Sequence, residues 1–280
     1  MLPAASATPL LTTQHVDISL ANGSNLSLRW HNHNAVAVGG YFFSADGATG
    51  YIDPVKSRRI RPEDTKWDFL GVAAGGEFFL LPATQNNQLL YLGFGAGNAI
   101  PGSFDVWNPS DTLRNVNTSQ RWIQVHLKGV TGPGDFSVYT VSGGNPRIWM
   151  DSADGIHPSI SEDSLYVVEG GHSHYNLAFT HEGNYQLHFQ LRAYKSGSLI
   201  TSEGTLNFTT SPELKIDSKP SNQITLSWPS LSEGFILKKS KTLHTGSWSI
   251  VPELPIDNGQ TNSLILPVTT NPLFFRLEKP

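Results

Sequence analysis

The sequence predicts an all-β protein made of two β-sandwich domains of the immunoglobulin-like kind, one large and one small. Apolar and polar residues alternate with a period of two along most of the chain, which is the pattern of half-buried strands. Helical periodicity is almost absent, and turn clusters such as "SGGNP" and "SADG" separate the alternating runs. Many short strands joined by such turns are typical of a β-sandwich.

The large domain is predicted over residues 15–209, where the alternating runs are longest. "HVDISL" puts Val16, Ile18 and Leu20 on one face of a strand and polar side chains on the other. "NLSLRW" repeats the pattern after a turn at "NGS". The runs "RWIQVHLKGV" and "NYQLHFQLRAY" continue it further along the chain, so each of them predicts another strand.

The small domain is predicted over residues 212–280. The segment "TTSPELKIDSKPSN", residues 209–222, interrupts the alternation with proline and polar residues, and we expect an exposed linker at residues 212–221. Five short apolar runs follow, which is enough for a small immunoglobulin-like or fibronectin-like module. They are "QITLSWP", "GFILKKS", "GSWSIV", "NSLILPV" and "LFFRLEKP".

Composition and charge exclude several classes of function. The 280 residues carry a net charge of −4, which gives no electrostatic reason to expect nucleic acid or an anionic membrane as a partner. The chain has no cysteine, so disulfides, thiolate metal sites and a cysteine nucleophile are excluded. No apolar run approaches the roughly 18 residues of a membrane-spanning helix, and "MLPAASATPLLTTQ" lacks the basic and apolar regions of a signal peptide.

Two short segments place polar side chains at alternate positions. In "EGGHSHYNLAFT", His172, His174 and Asn176 would share one face of a strand and leave the other face for the core. Near the start of the domain, His15 and Asp17 share a face in the same way. Both segments therefore present metal-ligating side chain types on the outer face of a predicted strand.

These two polar faces predict a metal site if their strands are neighbours in one sheet. Imidazole nitrogens and a carboxylate form the ligand sets that zinc prefers and, with more imidazole, copper. We expect His15, His172 and His174 to bind one divalent ion, with Asp17 either as a fourth ligand or orienting an imidazole. Asn176 is expected to position a ligand or a water molecule. The alternative is a polar sheet surface whose histidines only form hydrogen bonds.

Other chemistries have weaker support in the sequence. A second His-x-His, His31 and His33 in "WHNHN", lies where a strand runs into a loop, and we interpret both as solvated, with a metal site at these two residues as the alternative. No phosphate-binding glycine loop, nucleophile elbow or His-Glu-x-x-His motif is present, so we predict no enzymatic activity. A catalytic zinc with three protein ligands and a water stays open as an alternative. Carbohydrate binding by exposed aromatic rings also stays open, with Trp67, Trp107, Trp122 and Trp149 as candidates.

The turn "GPGD", residues 132–135, is a place where the conformation of glycine matters. Proline fixes its own φ, and either flanking glycine can adopt a positive φ at no steric cost. If Gly134 uses this freedom, we expect Gly134→Val to destabilise the protein by about 1 kcal/mol or more.

Five stretches of the large domain also carry a family likeness: "HVDISL", "WDFLGVAAGGEFFLLPATQNNQLLYLGFGA", "GVTGPGDFSVYT", "PRIWMDSADGI" and "GGHSHYNLAFTHEGNYQLHF". Together they resemble the bacterial surface-anchored repeat domain of actinobacterial wall proteins and of the choice-of-anchor M group. The resemblance covers roughly residues 15–209. Its most specific part is His-x-His-x-Asn-x-x-Phe-Thr followed by a Gly-x-Tyr strand. The chain beyond residue 212 resembles small C-terminal β-modules of secreted proteins from Verrucomicrobia-like bacteria.

The resemblance implies a bacterial protein that is secreted or held at the cell surface. Domains of this family often accompany transporters for divalent metals, which implies zinc or manganese handling, with cell-surface or metal-transport components as partners. The family's His-x-Asp matches His15 and Asp17, and its His-x-His-x-Asn matches His172, His174 and Asn176. We therefore expect a metal buffer or receptor that binds zinc or copper, with a structural or adhesive surface module as the alternative.

Overall fold

The computed structural model describes residues 9–34, 41–107, 120–157, 162–220, 222–229, 235–258 and 261–278. These residues are nearly all β, which confirms the predicted fold class of one large and one small β-sandwich. The chain divides into a large unit, Thr13–Thr210, and a small unit formed by Met1–Thr12 and Ser211–Pro280. Within the described residues, no helix has the length and apolar character needed to cross a membrane.

Fifteen strands and one short 3₁₀ helix build the described part of the large unit. After β1 (Leu10–Leu11) they are β2 (His15–Asn22), β3 (Asn25–Asn32), β4 (Tyr41–Ser44), β5 (Thr49–Tyr51), β6 (Arg58–Ile60), the 3₁₀ helix (Thr65–Leu70), β7 (Glu77–Leu81), β8 (Tyr91–Gly95), β9 (Trp122–Thr131), β10 (Phe136–Ser142), β11 (Asn145–Asp151), β12 (Ser164–Val168), β13 (His172–His174), β14 (Asn176–Phe179), β15 (Asn184–Lys195) and β16 (Ser198–Thr209).

Three sheets arrange these strands. Sheet A contains β5, β16, β15, β9 and β12 in spatial order, and its long central strands β15 and β16 form an antiparallel hairpin. Sheet B has the order β13-β8-β2-β3-β4, and sheet C has the order β11-β10-β14-β7-β6. Most neighbours are antiparallel, but β2 runs parallel to β8 and β5 runs parallel to β16.

Aromatic side chains join the three sheets into a sandwich. Trp30 of sheet B meets Phe208 of sheet A with ring centroids 5.4 Å apart, and Phe94 of sheet B meets Phe189 of sheet A at 6.1 Å. Phe179 of sheet C also contacts Phe208, at 5.3 Å. All five rings are almost fully buried. Sheets B and C therefore pack their apolar faces against sheet A, and the opposite face of sheet B is left for polar side chains.

The small unit is a second, smaller sandwich. Its core includes Leu226 and Trp228 from one sheet and Leu237 from the other, packed in a single cluster. The two sheets have the strand orders β17-β18-β22-β21 and β20-β19-β23. Its strands are β17 (Lys215–Lys219), β18 (Gln223–Pro229), β19 (Ile236–Ser240), β20 (Ser249–Ile250), β21 (Ile256–Asp257), β22 (Thr261–Pro267) and β23 (Phe274–Glu278), with a 3₁₀ helix at Thr245–Ser247.

The segment expected to be a linker contains a strand. Much of residues 212–221 forms β17, which pairs antiparallel with β18, while residue 221 lies outside the described residues. The side chains of β17 are mostly exposed, so the segment has the polar composition of a linker although its backbone is in a sheet. An edge strand needs few apolar side chains, because it pairs with a neighbouring strand on one side only and faces solvent on the other.

The "GPGD" turn needs glycine for a reason other than the one considered from the sequence. Neither Gly132 nor Gly134 adopts a positive φ. Instead, a Cβ atom added at Gly134 would overlap the side chains of Thr180 and His181. Thr180 is held in place because its Oγ1 accepts a hydrogen bond of 2.7 Å from the backbone N–H of Asp135. Close approach of the chain, rather than backbone conformation, therefore excludes a side chain at Gly134.

We expect Gly134→Ala to lower the free energy of unfolding by about 1–3 kcal/mol, the usual cost of overpacking a rigid site. Gly129→Ala is the matched control, because Gly129 lies in β9 without a positive φ and a Cβ there meets no atom within 4 Å. Urea unfolding of both variants measures the difference. Equal unfolding midpoints for the two variants would show that the turn accommodates a Cβ atom at Gly134 without loss of stability.

Candidate functional site

The outer face of sheet B gathers five histidines around one aspartate. Asp17 on β2 pairs with His31 on β3, and on its other side it pairs with Gly93 on β8. Gly93 in turn pairs with His174 on β13. Because side chains of directly paired residues point to the same face of a sheet, these four positions form one row across four strands. Val16 and Ile18, on the opposite face of β2, are fully buried in the core.

The two strands that carry the predicted ligands are not neighbours. Strand β8 lies between β2 and β13, and its residues on this face include Gly93 and Gly95. A Cβ atom at Gly93 would lie 2.6 Å from Asp17 Oδ1 and 2.9 Å from His174 Cε1, while one at Gly95 would lie 2.8 Å from Asp17 Oδ2. Side chains from β2 and β13 meet over β8 because β8 has no side chain at these positions.

The first donor group consists of His15, Asp17 and His174. The Nε2 atoms of His15 and His174 are 3.3 Å apart, and His15 Nε2 lies 3.9 Å from Asp17 Oδ1. One candidate ligand atom from each residue falls within 4.8 Å of the other two. The ring of Tyr91 stacks on His174 with centroids 3.8 Å apart and planes within 2° of parallel, which holds that imidazole in its orientation.

The second donor group consists of Asp17, His31 and His33, and here too one candidate ligand atom from each residue lies within 4.8 Å of the other two. His33 Nε2 lies 2.9 Å from Asp17 Oδ2, the distance of a hydrogen bond to a carboxylate. The His31 ring lies between two rings, with centroid distances of 4.0 Å to His33 and 4.2 Å to Phe42. Asp17 is thus the residue that both donor groups share.

Burial sets the electrostatics of this face. Asp17 is only 5% exposed, and its Oδ1 makes no hydrogen bond. Burial lowers the pKa of His15 and of His174 below the ordinary histidine value, and the charge of Asp17 opposes that shift in both. The backbone of Leu92 also acts to raise the pKa of His174, although His174 Nδ1 makes no hydrogen bond of acceptable geometry. The folded protein therefore favours the neutral imidazole at His15 and at His174, the form that binds metals.

His172 lies further out than predicted. Its ring centroid is 6.4 Å from that of His15 and 5.6 Å from that of His174, and it belongs to neither donor group. It borders a pocket of about 200 Å³ that is also lined by Asp17, His31 and His33. His172 therefore faces the entrance to the cluster rather than its centre.

Asn176 is not part of the cluster. The chain leaves sheet B at Tyr175, which is buried, and Asn176 begins β14 in sheet C. Its Oδ1 accepts a hydrogen bond of 3.1 Å from the backbone N–H of Ala83. The prediction that His172, His174 and Asn176 share one face of a continuous strand is wrong, because the strand breaks and changes sheet after His174.

His31 is the member of the cluster whose position differs from the sequence interpretation. His33 does lie in an exposed turn after β3, where its backbone N–H donates to the carbonyl of His15 at 2.9 Å, but His31 lies within β3 and ends the polar row. Counting back from the turn between β2 and β3 would have paired Asp17 with Trp30 and placed His31 on the opposite face. The irregular register between Ser19 and Ala21 shifts that count by one residue.

The tryptophans do not form an exposed row. All seven lie in the described part of the chain, and each is buried or half-buried. Trp149, for example, is only 9% exposed and packs against Tyr175, while Trp67 packs against Phe69 and Tyr139. Trp149 and Trp67 therefore contribute to packing within the large domain.

We expect Gly93→Ala to destabilise the protein by about 1–3 kcal/mol, because the new methyl group would press on Asp17 and His174. Gly97→Ala serves as the control, since Gly97 borders the same pocket but a Cβ there meets nothing within 4 Å and its φ is not positive. Thermal unfolding monitored by circular dichroism compares them. If Gly93→Ala is as stable as the control, the side chains of Asp17 and His174 can move aside to accommodate the methyl group.

The lowered pKa values of His15 and His174 predict an acid-sensitive apoprotein. Protonation costs more in the folded than in the unfolded state, so their contribution to stability is complete above about pH 6.5 and is lost as the pH falls below it. We expect the melting temperature of metal-free protein to drop less between pH 7.5 and 5 in His15→Gln/His174→Gln than in the parent. The pKa of His126 is also lowered by burial, so only the difference between the two proteins is diagnostic. Parallel pH profiles would contradict the assignment.

Comparisons with known proteins give little guidance. No protein-family model matches the chain, and no curated protein matches it. Among solved structures, the crystal structure of bovine butyrophilin is similar at 10% sequence identity, over 53% of this chain and 83% of that chain, with a TM-score of 0.15. A score this low carries no argument about fold or function. The interpretation of the site therefore depends on its own geometry and chemistry.

Proposed function

We propose that this chain is a divalent-metal-binding protein, with zinc as the favoured ion and copper as the alternative. The observation that carries the proposal is the first donor group, in which two imidazole Nε2 atoms approach to 3.3 Å beside a buried carboxylate oxygen that lacks a hydrogen bond. The ion would bind to His15, His174 and Asp17. A water molecule or His172, at the edge of the pocket, would supply a further ligand.

Coordination geometry supports zinc at this position. Tetrahedral zinc with Zn–N bonds of about 2.0–2.1 Å separates neighbouring ligand nitrogens by about 3.3 Å. The two Nε2 atoms of His15 and His174 have that separation, and the distance of 3.9 Å from His15 Nε2 to Asp17 Oδ1 needs only a small rotation to match it. With no cysteine in the chain, the available ligands are nitrogen and oxygen donors, which suit zinc and copper.

The biological setting is inferred from the resemblance in the large domain. We propose a secreted or cell-surface bacterial protein that acts as a metal buffer or as a receptor delivering metal to transport components. His15, Asp17, His172 and His174 occupy the positions of the family's histidine motifs, whereas Asn176 makes a structural hydrogen bond. We assign no catalytic reaction to the site.

A metal-free structural or adhesive module is the competing function. The same contacts then act as hydrogen bonds: His33 Nε2 donates to Asp17 Oδ2, and one of the two imidazoles of His15 and His174 donates to the other. This alternative leaves Asp17 Oδ1 without a partner in a buried position, at a cost of about 1–3 kcal/mol. A bound cation removes that cost, and for this reason we favour metal binding.

Metal analysis of the purified protein separates the two functions. After chelator treatment, incubation with zinc and desalting, we expect stoichiometric zinc by elemental analysis, and one equivalent less in His15→Ala/His174→Ala. His157→Ala/His188→Ala is the matched control, because it removes two histidines outside the cluster: His157 pairs with Asp154, and His188 pairs with Glu203 and Thr205. Zinc should also raise the melting temperature of the parent and of the control, because the ion binds the folded state.

Two results would contradict the proposal. Zinc that stays below about 0.1 equivalent in the parent, with an unchanged melting temperature, would favour the metal-free module. Zinc retained in full by His15→Ala/His174→Ala would place the ion elsewhere on the protein. His172→Ala alone is expected to keep the ion, because His172 belongs to neither donor group.

A further inference from the structure

We infer that the cluster binds two divalent ions, and that the carboxylate of Asp17 bridges them. The inference depends on the proposed metal binding and extends it from one ion to a dinuclear centre. The first ion would lie in the first donor group, with His15 and His174. The second would lie in the second donor group, with His31 and His33.

The two carboxylate oxygens of Asp17 face different sets of imidazoles. Oδ1 lies 3.9 Å from His15 Nε2 and makes no hydrogen bond, whereas Oδ2 lies 2.9 Å from His33 Nε2. In the row across sheet B, Asp17 also stands between His31 on one side and His174, beyond Gly93, on the other. A carboxylate with one oxygen directed to each group is placed to bridge two ions.

One ion cannot use all of these donors. A tetrahedral ion takes four ligands, but the two groups together offer one carboxylate and four imidazoles, with His172 as a fifth nearby. The candidate ligand atoms fall into two groups of three that share only Asp17. Two separate ions therefore use these side chains more completely than a single ion does.

The spacing of the two groups fits a dinuclear centre. His15 and His33 belong to different groups, and their rings stack nearly parallel, at 21°, with centroids 4.5 Å apart. Ions held in the planes of two such rings would be separated by about the same distance. Dinuclear sites in proteins commonly hold their ions about 3.5–4 Å apart, so a small adjustment of one ring is sufficient.

The environment favours different roles for the two ions. The first group lies beside the stacked Tyr91 ring, whereas His31 and His33 line the pocket of about 200 Å³ together with His172 and Asn98. Two divalent ions exceed the single negative charge of Asp17, and the pocket gives water, hydroxide or a small anion access to the second ion. The second ion is therefore the more exchangeable of the two.

Zinc stoichiometry tests this arrangement directly. We expect two zinc ions per chain in the parent by elemental analysis after equilibrium dialysis at a fixed free zinc concentration, and one in each of His15→Ala/His174→Ala and His31→Ala/His33→Ala. The His157→Ala/His188→Ala control should retain two. Circular dichroism and melting temperature verify that each variant is folded. If His31→Ala/His33→Ala does not fold, His31→Gln/His33→Gln replaces it. Glutamine keeps side-chain volume and hydrogen bonding, and the expected count is again one zinc ion per chain.

Copper provides a second readout that depends on the bridge. With two equivalents of Cu(II), coupling through Asp17 should reduce the electron paramagnetic resonance signal below that of two isolated ions. One equivalent bound to His31→Ala/His33→Ala should give the full signal of an isolated ion. A parent that binds one zinc, or two copper ions with the full signal of isolated centres, would overturn the inference and leave the proposed function intact. A parent that binds no metal would overturn both.

Discussion

A carboxylate buried at the centre of a sheet is the constraint on which this face of the protein depends. Removing a charged group from water is costly unless the group is paired or hydrogen-bonded. Asp17 has one hydrogen-bonding partner, His33, and its other oxygen lies 3.9 Å from His15 Nε2 without a hydrogen bond. Strand β2 cannot slip to relieve the charge, because a shift of one residue would turn Val16 and Ile18 out of the core. The histidines are therefore the groups that must adapt, by sharing a proton or by holding a cation.

The absence of side chains at Gly93 and Gly95 of β8 is the second condition. Neighbouring strands are about 4.8 Å apart, so β2 and β13, on either side of β8, have backbones about 10 Å apart. Imidazole and carboxylate side chains cover that distance only if nothing stands between them. Glycine in the interior of a strand sacrifices packing and conformational stability. Gly93 and Gly95 lose that stability at the positions where the side chains of Asp17 and His174 need the space.

The sequence was sufficient for the fold class, because burial of one sheet face acts on every second side chain and leaves a period of two. The same alternation correctly set His15 and Asp17 opposite the buried Val16 and Ile18. Alternation carries no information on which strands are neighbours in a sheet. The position of β8 between β2 and β13 therefore could not be predicted from the sequence pattern. Nor does alternation mark a change of sheet: Tyr175 is buried as alternation requires, yet the chain turns there from sheet B to sheet C.

The two donor groups differ in how much of the chain must fold before they exist. Asp17, His31 and His33 all come from the β2–β3 hairpin and the residue after it, a contact that is local in sequence. His174 is separated from His15 by 159 residues, and the parallel pairing of β2 with β8 also requires a long connection. Local contacts form faster than distant ones. We therefore expect the side chains of the second donor group to meet during folding before those of the first.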